Sequence, residues 1–127
     1  MLDINDLIGL PYRWGARANE GAIDCFQLHN EIRKRLGLSD KSQEFAFAYE
    51  QWTETTFPPS QLLKWLHEKC RKSPLTEGAI AFISDGADRG ALGTIVGRDD
   101  IVFIHERLRV VRVKVVNVGR AKVFWTN

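Results

Sequence analysis

Cysteine is scarce: Cys25 and Cys70 are the only two in the chain, too few for the disulfide framework of a small secreted domain, so both are expected as free thiols. Histidine is limited to His29, His67 and His105. Three isolated histidines and two cysteines 45 positions apart offer no paired ligand spacing, so neither a metal nor a cofactor is expected, and no glycine-rich phosphate loop occurs. No stretch approaches the roughly 18 apolar residues of a membrane helix. The opening MLDINDLIGL has no basic segment ahead of an apolar run, so the reading is a soluble chain with no export signal and no membrane partner. Charge of one sign is also missing: 18 basic against 16 acidic residues give a net charge of +2. Without a strongly basic stripe, a nucleic-acid partner is not expected. The basic series Arg107, Arg109, Arg112 and Lys114 alternates with Leu108, Val110, Val111 and Val113, which reads as the solvated face of a strand.

What is present is a chain of 127 residues, 44% of them apolar, enough for one core and one domain over residues 1–127. Asp3 is placed to cap a short helix through Ile8, after which Gly9, Pro11 and Gly15 enforce an irregular segment. Cys25, Leu28, His29, Ile32 and Leu36 follow helical spacing and Gly37 supplies a stop. The spacing therefore predicts an amphipathic helix over 25–36, capped by Asp24, with Cys25 in its first turn facing inward. Residues 39–59 carry Phe45, Phe47, Tyr49, Trp52 and Phe57 without clean periodicity, which leaves the region mostly undefined. Ser60 reads as the cap of a second helix with Leu62, Leu63, Leu66 and Cys70 on its apolar face, closed before Pro74. After Gly78 come short β-rich runs at 79–83, 91–96, 101–105, 108–116 and 122–125, separated by turn residues. Helices first and strands afterwards predict an α+β domain with an antiparallel sheet.

A cysteine at a helix N-terminus faces unpaired N–H groups and the positive end of the helix dipole, both of which favour the thiolate. The same position also suits a buried small residue. Its context is more specific. Gly9-Leu10-Pro11-Tyr12-Arg13-Trp14-Gly15, a polar loop to Gly21, and then Asp24-Cys25 resemble the signature of the NlpC-type papain-like cysteine peptidases, a Pro-Tyr-x-Trp-Gly loop followed by Asp-Cys opening a helix. Leu75 to Phe82 resembles the opening of that family's first strand, and Ala91-Leu92-Gly93-Thr94-Ile95-Val96-Gly97 its next, where the family has His-Val-Gly. Residues 38–72 are unmatched.

The resemblance implies a papain-like fold, N-terminal helices packed on a C-terminal antiparallel sheet, with a catalytic cysteine, histidine and orienting polar residue at Cys25, Ala91 and His105. Alanine at 91 cannot act as a base, and a positioned base typically contributes about 10²–10⁴-fold. Phe26-Gln27 and Ala79 also depart from the family pattern. His105 alternates with Ile101 and Phe103, and is read as a core histidine, a relocated base for Cys25, or a surface residue. His29 shares the helix face of Cys25 but lies about one turn, ~5.4 Å, along the axis. By the resemblance, Tyr12 sits beside the nucleophile to orient substrate or an oxyanion, and Asp24 and Trp14 belong to the same binding site. Tyr12 also reads as a loop aromatic packed on Trp14. Trp14, Trp52, Trp65 and Trp125 read as core or interface residues, and His67 as a solvated helix residue.

The chain is also similar to the small NlpC-like proteins encoded among the tail genes of tailed bacteriophages, some of which carry Ala-Leu-Gly for His-Val-Gly. The resemblance implies a catalytically degenerate domain that serves as a structural or binding component of a phage tail or baseplate, found in the virion or, before assembly, in the host cytoplasm. Its partners would be tail proteins or peptidoglycan peptides. The alternative is an active cell-wall endopeptidase or amidase using Cys25 with His105 or His29 as an unorthodox base.

Overall fold

Residues 2–39, 44–53, 59–86, 89–105, 108–118 and 120–125 are described by a computed structural model of the chain. Helices α1 (Cys25–Arg35), α2 (Ala46–Gln51) and α3 (Pro59–Lys69) precede strands β1 (Arg71–Lys72), β2 (Ile80–Gly86), β3 (Arg89–Val96), β4 (Asp100–His105), β5 (Arg109–Lys114) and β6 (Arg120–Trp125). The strands form one six-stranded sheet in the order β1-β6-β2-β3-β4-β5, every pairing antiparallel. The fold is thus α+β, as the segregation of helix-like and strand-like stretches predicts.

Period-two alternation divides the sheet into two apolar faces. Ile80, Phe82, Leu92 and Phe124 meet Phe26, Phe45, Ala48, Leu62 and Leu66 of the helical layer. On the same side, Val96, Val102, Ile104 and Val110 meet Ile4, Leu7, Ile23, Leu28 and Ile32. The face away from the helices holds Ala79, Ala81, Ile83, Ile95, Ile101 and Phe103, with Val111, Val113, Val115, Val118 and Val123 packed around them. The connection from β5 at one edge to β6 runs through a 3-10 turn at Val115–Asn117, and it brings Val115 and Val118 onto that second face. Gly93 is tightly enclosed there: a Cβ would lie 2.7 Å from Ile101 Cδ1 and 3.3 Å from Phe103 Cβ.

Helix α1 begins and ends where its sequence dictates. Asp24 caps it, and Gly37 (φ +76°) takes the left-handed conformation that closes it. The Leu38 and Gly37 amides donate back to the carbonyls of Arg33 and Lys34, satisfying acceptors the helix leaves open. Arg33, 2% exposed, ties this end to the sheet. Its guanidinium donates to Ser39 O (3.1 Å), Ser39 Oγ (3.2 Å) and Gly78 O (3.1 Å) and lies 5.2 Å from the Trp125 ring centre.

Two expectations need correction, and two elements were not foreseen. Residues 3–8 form turns, not a helix: Asp3 accepts from Asn5 N and Ile4 O from the amides of Leu7 and Ile8. A segment this short is a poor helix nucleus, and the chain leaves it to pair with β5. Ser60 lies inside α3, which starts at Pro59, because proline's missing N–H and fixed φ suit a first helical position. Within 39–59, which the sequence leaves mostly undefined, α2 forms with Phe45 and Ala48 fully buried. The two-residue β1, paired with Trp125 and Phe124, was likewise not anticipated.

Candidate functional site

The segment before α1 is held on both sides. Gly9 N and Tyr12 N donate to Val110 O and Leu108 O, and Val110 N donates to Leu10 O, so this stretch runs antiparallel along the outer edge of β5. Its other side meets Ile23: Ile23 N donates to Pro11 O (3.0 Å) and Arg13 N to Ile23 O (3.2 Å). Ile23 is fully buried, and the next residue is the helix cap.

Asp24 is 0% exposed. Its Oδ1 accepts from Gln27 N at 2.8 Å, the ordinary capping bond that satisfies an orphan helix amide. Its Oδ2 accepts from Gly15 N at 2.7 Å, joining Trp14-Gly15 to Asp24-Cys25. A third donor arrives from α2: the Tyr49 hydroxyl lies 2.5 Å from Asp24 Oδ2, with Gln27 Nε2 3.5 Å from the phenol oxygen. Burial pushes the Asp24 carboxyl above its usual range, opposed by the hydrogen bonds from Gln27, Tyr49 and Gly15. Burial, and then the Asp24 charge, push the Tyr49 phenol upward, so Tyr49 remains a protonated donor. The Tyr49 ring meets Trp14 edge-on at 5.0 Å and Phe26 at 5.9 Å.

Cys25 is the first residue of α1. It is half-buried, forms no disulfide, and packs, as Trp14 and Tyr49 also do, against the cluster that contains Phe26, Phe45 and Leu62. Tyr12 packs on the neighbouring cluster of Ile4, Leu7 and Ile23. Ala91 pairs with Ile83 and packs on the face away from the helices. The β3 residues on the helix side are Leu92, Thr94 and Val96. His29, 0% exposed, places Nδ1 2.8 Å from Thr94 Oγ1, with its ring 5.9 Å from Phe45. His67 is exposed on α3, its ring edge-on to Phe124 at 5.3 Å. The backbone of His105 ends β4 opposite Arg109, and its side chain lies outside the described residues. Ile101 and Phe103, with which it was expected to share a side, belong to the face away from the helices.

The structure therefore gathers Trp14, Asp24, Cys25, Gln27 and Tyr49, and leaves Ala91 on the opposite face of the sheet. Tyr49, Gln27 and Thr94 were not singled out in the sequence. For Tyr49 a weak signal exists, since Phe45, Ala48 and Tyr49 stand at i, i+3 and i+4. Among the described residues no group of three His, Cys, Asp or Glu side chains could hold a metal ion, and no helix is long and apolar enough to cross a membrane. Compared with protein-family models, curated proteins and solved structures, the chain matches none.

Proposed function

We propose that this chain is a degenerate NlpC-type, papain-like domain that acts as a structural or peptide-binding component, in the setting of a tailed-phage tail or baseplate. The observation that carries the reading is Ala91: an alanine stands where the resemblance calls for the catalytic base. Two further features support an NlpC-type ancestry. A cysteine opens the first long helix on the sheet, and the Trp-Gly loop is bonded to the aspartate before it. A binding role and a purely structural one separate on titration of peptidoglycan stem peptides while tryptophan emission is followed, because Trp14 packs with Cys25 in one cluster. A saturable change identifies a peptide-binding module. No change identifies a part that works through protein partners alone.

The rival reading, a cysteine endopeptidase or amidase, is favoured by one observation: a half-buried thiol at a helix N-terminus, where the thiolate is stabilised. It requires His105 or His29 as base, and it predicts cleavage of stem peptides that disappears with Cys25→Ala.

A further inference from the structure

The two edges of the sheet differ in how their charge is met. At the β5 edge, residues 9–12 pair with Leu108 and Val110. Beyond them Arg112 lies 2.9 Å from Asp100, and Lys114 reaches Asp99 and Asp100 at 3.2 and 2.9 Å. At the other edge, β1 covers only the end of β6, opposite Trp125 and Phe124, with one further bond from Ser73 N to Val123 O. Pro74 follows, and it has no N–H to continue the ladder. The basic residues of this edge, Arg71, Lys72, Arg120 and Lys122, are all exposed, and none has an ion pair among the described residues. Register sets their geometry, because directly opposed residues share a face of the sheet. Lys122 opposite Phe82 and Lys72 opposite Phe124 stand on the side that carries the helices, as does Arg120. Arg120 and Lys122 are therefore about 7 Å apart along the strand, the repeat of alternate side chains in any extended chain. Backbone bonding to the two neighbours also alternates along a strand. Val123 bonds outward to Ser73, so Ala121 turns its N–H and C=O outward too, and no described backbone bond reaches them from that side.

We propose that this edge takes up an extended acidic segment of a partner protein, laid beside β6 in line with β1, with its backbone bonded to Ala121 and alternate carboxylates set on Lys122 and Arg120. Main-chain bonds combined with side-chain recognition at every second position are the mode of strand addition. A second copy of this chain is the wrong occupant, because pairing edge to edge would set cations against cations. A nucleic acid would answer the charge but leave the Ala121 amide and carbonyl unused. The inference uses no residue of the site around Cys25, so it holds whether or not the chain descends from a peptidase.

The test is fluorescence anisotropy with a labelled peptide of alternating threonine and glutamate. Two comparison probes are a peptide of the same composition with its glutamates in one block, and oligothymidylate. The parent should bind the alternating peptide saturably and more tightly than either comparison probe, with an affinity that falls as salt rises. The double variant Arg120→Glu, Lys122→Glu should lose at least about tenfold in affinity. Arg98→Glu, which reverses an exposed charge in the β3–β4 turn, should change little. Ala121→Pro removes the outward N–H and leaves every charge in place, at an edge position where proline is tolerated. It should bind the alternating peptide no better than the block peptide. Absence of saturable binding by the parent overturns the proposal, as does binding indifferent to salt and to the charge reversal. Equal binding of all three probes that survives Ala121→Pro also overturns it, since the edge would then be a general polyanion surface.

Discussion

The amide of Gly15 donates to Oδ2 of Asp24 across 2.7 Å, so the loop and the helix cap that together carry the family resemblance are one hydrogen-bonded unit. Tyr49 completes it from α2. The carboxylate at the centre meets three neutral donors while fully buried, and this arrangement makes its titration visible in stability.

Burial holds the Asp24 carboxyl above the usual value of 3.8, so the native chain keeps this proton to higher pH than the unfolded chain. The contribution of the group is fully present below that value and is lost as pH rises through the folded one. Asp6 and Asp100 are shifted the other way, by Arg35 and by Lys114 with Arg112. Their contributions are lost as pH falls, and they cancel when the parent is compared with Asp24→Asn. The variant should be less stable by about 1–3 kcal/mol, because its single amide oxygen cannot accept both from Gln27 N, which uses Oδ1, and from Gly15 N and Tyr49, which use Oδ2. The deficit should be largest near pH 4 and shrink toward about pH 7 in urea unfolding. A deficit that grows with pH contradicts the assignment.

Thr94 and His29 meet between α1 and β3, both with no exposure. Thr94→Val keeps the shape and removes the hydroxyl 2.8 Å from His29 Nδ1. It should lower stability by about 1–3 kcal/mol, and Thr94→Ser should recover much of the loss. Thermal unfolding of the three proteins checks this, and an unchanged valine variant would show that the contact contributes nothing.

Gly93 has no room for a methyl group: Ile101 Cδ1 and Cγ1 would lie 2.7 and 2.8 Å from it. Overpacking of this kind typically costs about 1–3 kcal/mol. Gly93→Ala should unfold at lower urea, and Ile101→Val, which shortens the obstructing side chain, should make the double variant less destabilised than the sum of the two single changes.

Arg33 spreads three donor bonds over Ser39 and Gly78 beneath Trp125. Lysine cannot reproduce that fork, so Arg33→Lys should cost about 2 kcal/mol in denaturant unfolding. A surface-like loss of a few tenths would show that Arg33 is not the tie between α1 and the strand opening at Gly78.

Much of this architecture is legible in the residues themselves. The cap at Asp24, the helical spacing from Cys25 and the stop at Gly37 define α1 locally, and the alternation after Gly78 defines the strands. Three features depend on distant partners. Residues 3–8 form turns where a helix capped by Asp3 was expected, and residues 9–12 just beyond them pair with Leu108 and Val110. Helix α2 has no side-chain cap and owes its place to aromatic contacts with α1 and α3, so propensity alone does not reveal it. Alternation puts Ala91, Gly93 and Ile95 on one face, but only the assembled sheet tells which. That face is the one turned away from Cys25.

A degenerate NlpC-type domain, as proposed, would not hydrolyse peptides. The direct measurement is mass-spectrometric analysis of purified peptidoglycan stem peptides incubated with the parent, Cys25→Ala and Ala91→His proteins from mildly acid to mildly alkaline pH. No fragments above the buffer control are expected in any of the three, because a histidine at 91 would still face away from Cys25. Fragments produced by the parent and absent with Cys25→Ala would contradict it.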